Sequence, residues 1–125
     1  MQKYLWIAIG GALGSMARYW VGTSVSDRLG ARFPFGTLVI NLTACVIIGF
    51  SLTVLNRHTE MNPAIRYLVP IGFVGAYSTF STFEWEIFGS LNSGAFWVAL
   101  IYVASSLVFG LVAVAVGAML AKVVP

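Results

Sequence analysis

The chain has 125 residues, of which 59% are apolar and 9% charged, with a formal net charge of +3. A soluble globular chain is about 45–50% apolar and about 25% charged, so this one lacks the charge to coat a water-facing surface. A mean hydropathy of +0.91 marks an integral membrane protein and excludes a disordered chain, a secreted disulfide scaffold and most soluble enzymes.

A spanning helix needs about 20 mostly apolar residues. The length therefore predicts four spans in one small membrane domain, residues 1–125, with short connections. A bundle this thin has little interior, so a polar path across the bilayer calls for a partner subunit. The seven basic residues are too scattered for a phosphate-binding face, so nucleic acid is not an expected partner. The single Cys45 allows no disulfide within the chain, and no metal-binding motif of clustered His and Cys occurs. The first apolar run carries Arg18 and lacks a plain cleavage site, which reads as a retained helix rather than a signal peptide.

The first span is expected over 4–24, where Gly10 and Gly14 form a GxxxG pair that permits close helix approach in lipid. Asp27, Arg28, Gly30 and Arg32 read as a short connection, and Pro34 suits the start of the next helix. The second span is expected over 35–55 and ends before the polar stretch Asn56 to Glu60. The third is expected over 64–88, with Gly, Ser and Thr so dense from Gly75 to Thr79 that a break in the middle is predicted. The fourth is expected over 95–121. Tyr4, Trp6, Tyr19, Trp20, Trp85 and Trp97 sit where interfacial anchors belong.

Charge does not choose a side. With four spans, Lys3, Arg57, Arg66 and Lys122 share one face of the membrane, against Arg28 and Arg32 with Arg18 nearby. The positive-inside rule normally gives a stronger bias. One weakly specified topology and a dual topology with an antiparallel dimer both fit.

Several residues could carry chemistry. Asn41 lies near mid-depth of the second span, with Thr37 on the same face. Its amide reads either as a helix–helix hydrogen bond or as a donor lining a pore for a small anion. Phe80 and Phe83 share a helical face and read as packing, or as two ring edges presented to an anion. A break at Gly75–Thr79 frees backbone carbonyls, which side chains or a bound cation must satisfy. Arg18 either snorkels to an interface or draws anions into a vestibule. Glu84 and Glu86 belong at a mouth or in an ion pair, since a buried carboxylate would repel an anion. Ser106, with Tyr102 and Gly110 one turn away on either side, reads as a hydroxyl-bearing face or as close packing. No nucleophile–base set and no phosphate loop occurs, so no enzyme is expected.

Together the segments resemble the small fluoride channels of bacteria, the Fluc or CrcB family. Three motifs carry the resemblance: GGALGSMARY from Gly10 to Tyr19, GTLVIN from Gly36 to Asn41, and GFVGAYSTFSTFEWE from Gly72 to Glu86. It implies an all-α membrane protein with the third helix broken, forming an antiparallel homodimer with two pores in the inner membrane. Its implied activity is passive export of fluoride, which relieves toxicity. It further implies Asn41 as the pore amide and Phe80 and Phe83 as the ion-coordinating rings. Ser81, Thr82, Ser106 and Thr37 would flank the path, and Arg18 would stand at the vestibule. A structural sodium ion would sit at the dimer centre on the backbone carbonyls of Gly75 and Ser78. Ala44, Tyr77, Ser78 and Glu84 depart from the family's usual pattern. A proton-coupled exporter of cationic drugs is the rival reading, but it requires a membrane-embedded carboxylate, and the first span has none. A structural or assembly subunit is the other.

Overall fold

The computed structural model describes residues 1–124, and every regular element among them is helical. Helix α1 is Gln2–Leu29 and α2 is Phe35–Arg57. Helix α3 covers residues 64–77, made of Ala64–Arg66, a π-helical stretch Tyr67–Val74 and Gly75–Tyr77. Helix α4 is Phe80–Asn92, and α5 is Phe96–Ala121. Counting α3 and α4 as one interrupted span gives four.

α2 and α5 are each long and apolar enough to cross a bilayer. α1 has 28 residues, about 42 Å at 1.5 Å per residue, which exceeds a hydrocarbon core of about 30 Å. It runs past the expected end at residue 24. Asp27 and Arg28 fall in its last turn rather than in a connection, and Gly30 stops it with a φ of 79°. The sequence pattern marks where apolar residues end, and the helix continues into the polar interface because nothing before Gly30 breaks it.

Two close helix contacts organise the bundle. A methyl group at Gly10 would lie 2.1 Å from the Leu68 carbonyl oxygen, and one at Gly14 would lie 2.3 Å from that of Phe73. The GxxxG pair therefore seats α1 directly on the backbone of α3. Gly49 and Gly117 do the same for α2 and α5, where a methyl would meet the Val114 or Val46 carbonyl oxygen at 2.2 or 2.1 Å. In lipid there is little hydrophobic drive between helices, so close backbone approach and dispersion supply the attraction. α1 also packs along α2, which joins the two pairs.

Pro70 lies inside the π-helical stretch. It has no N–H for the regular ladder, and a widened turn accommodates the loss. At the other end, the Arg57 guanidinium donates to the Ala121 carbonyl at 3.0 Å. That bond caps α5 and ties the ends of α2 and α5 together on one side of the bundle.

Apolar side chains dominate the outside. Leu107, Leu111 and Met119 on α5 are exposed, as are Trp20, Trp85 and Trp97. The small buried core holds Ile40, Ala44, Val74 and Tyr77. A surface of this kind suits lipid as its solvent.

Candidate functional site

The site grows from the gap between α3 and α4. Ser78 has ψ of 158° and Thr79 has φ of −149° and ψ of 115°, so two extended residues separate the helices. The break therefore occupies only the end of the expected Gly75–Thr79 stretch, because Gly75, Ala76 and Tyr77 stay helical.

An interruption inside a bilayer must satisfy its own backbone. Asn41 does most of this. Its Oδ1 accepts the Thr79 N–H at 2.9 Å, and its Nδ2 donates to the Thr79 carbonyl at 3.1 Å. One amide thus pairs with both backbone groups of an extended residue. The second hydrogen on Nδ2 is not used in this pair. The Thr79 hydroxyl accepts the Thr82 N–H at 3.2 Å and donates to the Thr82 hydroxyl at 3.0 Å. That is an N-cap, and it restarts the chain as α4. The Ser78 hydroxyl donates back to the Val74 carbonyl at 3.0 Å.

The same bonds leave carbonyls over. The N–H that would close the helix onto Gly75 belongs to Thr79 and goes to Asn41. The one that would reach Ser78 belongs to Thr82 and goes to the Thr79 hydroxyl. The break thus releases the carbonyls of the last turn of α3, from Gly75 to Tyr77, together with that of Ser78. Gly75 is exposed, with nothing beyond its own stretch of helix within 4 Å of where a methyl would stand.

Two crevices flank the break. Arg18, Ser15, Thr37, Ile40, Thr79 and Thr82 line one of about 380 Å³. Asn41, Cys45, Val74, Ser78, Thr79 and Phe80 line the other, of about 340 Å³. Arg18, Thr37 and Thr82 are thereby brought together, as are Asn41 and Phe80. The rings of Phe80 and Phe83 lie 6.0 Å apart at 37°. They differ in setting: Phe80 is 74% exposed and Phe83 9%. Phe83 meets Tyr102 edge-on at 4.9 Å. Ser81 is exposed on α4, with its hydroxyl 3.5 Å from that of Thr79. Ser106 lines neither crevice, and its hydroxyl is buried with no hydrogen-bond partner. Gly110, one turn on, is buried against Cys45, whose Sγ is 3.7 Å from a methyl placed there.

Glu86 has a role that spacing did not reveal. Its two oxygens accept hydrogen bonds of 2.7 Å from the Thr37 and Tyr102 hydroxyls. The expected basic partner is replaced by two hydroxyls from α2 and α5. Thr37 accordingly spends its only hydrogen on the carboxylate. Tyr102 is fully buried. The carboxylate also lines a cavity of about 390 Å³ with Arg32, Phe33, Ser90 and Ser93, at the α1–α2 connection. Glu84 is exposed. The pairing of Tyr77 with Thr43 has no signal in the sequence: their hydroxyls bond at 2.8 Å, and Tyr77 stacks on Phe73 at 5.5 Å. Tyr77 thus packs at the α2–α3 contact.

Comparison with known proteins gives a consistent picture. Residues 5–118 match the family model described as "CrcB-like protein, Camphor Resistance (CrcB)". A protein of Acidobacterium capsulatum called "Fluoride-specific ion channel FluC" is 52% identical over 93% of this chain and 93% of its own length. Proteins of the same name from Solibacter usitatus and a Synechococcus strain are 46% and 40% identical. They cover 97% and 93% of this chain, and 99% and 89% of their own lengths. These relatives are channels by name, not enzymes. With the apolar spans, they make the chain a multi-pass protein of the bacterial inner membrane. A match over nearly the whole length, with all three motifs inside it, means that the chain belongs to the CrcB family.

Proposed function

We propose that the chain is a passive, fluoride-selective channel that works as an antiparallel homodimer with two pores. The observation that carries this is the polar crevice beside the helix break. Arg18 supplies positive potential there, and Thr82, whose hydroxyl accepts from Thr79, keeps its own hydroxyl hydrogen to donate in an otherwise apolar bundle. An anion gathered by Arg18 would pass donors that carry no fixed charge. The relatives' names point to fluoride as that anion.

Fluoride must shed much of its water to enter a narrow path. The spare Nδ2 hydrogen of Asn41 and the unbonded Ser106 hydroxyl are donors of the kind that would offset the loss. Phe80 and Phe83 would present ring edges, whose partial positive charge suits an anion. The high exposure of Phe80 fits a ring that faces a path completed by a second copy. Ser81, exposed one residue along α4, would flank the same path. Weak contacts of this kind bind loosely enough to release. Efflux needs no ATP, because an inside-negative potential drives anions outward.

A structural sodium ion at the dimer centre belongs to this reading. Sodium is a hard cation that takes oxygen ligands, and the carbonyls released at Gly75 and Ser78 are such ligands. Two copies related by a two-fold axis would supply four. Gly75 leaves room for close approach, since no side chain stands there.

The decisive experiment uses purified protein in liposomes loaded with potassium fluoride, with a potassium ionophore for charge balance. A fluoride electrode should record rapid efflux, and efflux no faster than from empty liposomes overturns the channel. Phe80→Ile should slow the flux at least severalfold while leaving stability unchanged, because the ring is exposed. Equal rates would remove that ring from the path. Single cysteines labelled from each side of the membrane should react from both, and labelling from one side alone defeats the antiparallel dimer.

A further inference from the structure

Arg32 has no task in the reading above. It sits on the exposed connection between α1 and α2 and does not line the Arg18 crevice. It lines the cavity of about 390 Å³ that also contains Glu86. Ser26 lines both this cavity and the Arg18 crevice. Thr37 lines the crevice and donates to Glu86 at 2.7 Å. A line of polar groups therefore runs from Arg18 through Thr37 to Glu86, and opens beside Arg32.

The electrostatics of that opening are unusual for an anion path. Among the described residues, Glu86 is the only acid lining the cavity and Arg32 the only base. Both carboxylate oxygens bond hydroxyls, of Thr37 and Tyr102, rather than the guanidinium. Among the described residues Arg32 forms no ion pair, so it keeps its field for the cavity. Without it, an anion at this mouth would meet an uncompensated carboxylate.

We infer that Arg32 is the electrostatic gatepost of the Glu86-side mouth, a positioning residue that offsets the carboxylate and raises the local concentration of permeant anion. The inference rests on the channel reading above. It extends that reading to a second mouth, distinct from the Arg18 crevice. A guanidinium and an ammonium serve equally here, because the role is one of charge and not of bidentate geometry. Arg32 is exposed, so exchanging it leaves the packing intact.

The test measures fluoride efflux from liposomes for the parent, Arg32→Gln and Arg32→Lys at low fluoride. Potassium gluconate is stepped on both sides from about 10 mM to about 1 M, which shortens the screening length from roughly 30 Å to roughly 3 Å. Arg32→Gln should run about threefold below the parent at the low end, a modest case of field focusing in a cleft. The gap should close at the high end, and Arg32→Lys should follow the parent throughout. The loss should appear as a higher fluoride concentration for half-maximal flux, with the maximum retained. Arg32→Gln matching an active parent at low salt overturns the assignment. So does a loss that is equal at every ionic strength and shared by Arg32→Lys, since that marks a structural role. A parent with no flux overturns the channel reading itself, and this inference with it.

Discussion

The two halves of the broken third span are held in different ways. α3 lies on α1 through bare backbone: Gly10 and Gly14 face Leu68 and Phe73 with no side chain between. α4 packs on α5, and it does so through side chains. Phe83 meets Tyr102 edge-on, and Glu86 accepts the Tyr102 hydroxyl. The first half is fixed by shape and tolerates no added atoms. The second half is fixed by directed polar bonds and aromatic edges, and keeps exposed rings at Phe80, Trp85 and Phe88. Dispersion between close backbones makes a rigid platform, whereas directed bonds present chemical groups at chosen places. Asn41 stands between the two halves and holds the joint.

That difference can be broken from either side. The largest effect is expected at the platform. Gly14→Val would drive methyl groups into the Phe73 carbonyl oxygen, 2.3 Å from the first added carbon. Backbone on the other side cannot yield cheaply, so a loss of about 3 kcal/mol or more is expected. Thermal unfolding in detergent should show a collapse of the folded fraction.

Next comes the joint. Asn41→Ala leaves the Thr79 N–H without a partner and takes from the Thr79 carbonyl one of its two, in a low-dielectric setting. An unsatisfied group costs about 1–3 kcal/mol. The loss should place this variant close behind Gly14→Val in unfolding experiments, and its fluoride flux should fall as well. Asn41→Asp keeps the acceptor and loses the donor, so it should recover part of the stability while adding a charge that repels anions. Stability without flux in that variant would separate the joint's two duties.

The smallest of the three lies at the start of α4. Thr79→Ala removes the hydroxyl that caps Thr82. The expected cost is about 1 kcal/mol, read as a modest shift in midpoint. Thr79→Ser should restore most of it. A shift as large as that of Asn41→Ala would mean that the cap, and not the amide, holds the break open.

Much of this architecture is legible in the residues. Apolar runs mark four spans, GxxxG marks the tight α1 contact, and the Ser/Thr cluster marks the interruption, because each is a local property of chain chemistry. Asn41 stood out because an amide at mid-depth in lipid requires a partner. The identity of that partner was not legible, since Thr79 lies 38 residues away. Glu86 was harder still. Its partners Thr37 and Tyr102 come from two other helices, and no spacing rule within one helix reports a contact across three.

The sequence by itself determined that this is a small all-α membrane protein, where its apolar spans lie, and that one of them breaks between Gly75 and Thr79. Composition and helical period decide those features without reference to distant residues. Only the tertiary structure decided that Asn41 completes the break, that Tyr102 and Thr37 hold Glu86, and that Arg32 shares its cavity. Polar groups inside a lipid-facing bundle must pair with whatever the packing brings near, and that is settled by how the backbones approach, glycine against carbonyl, rather than by any local run of residues.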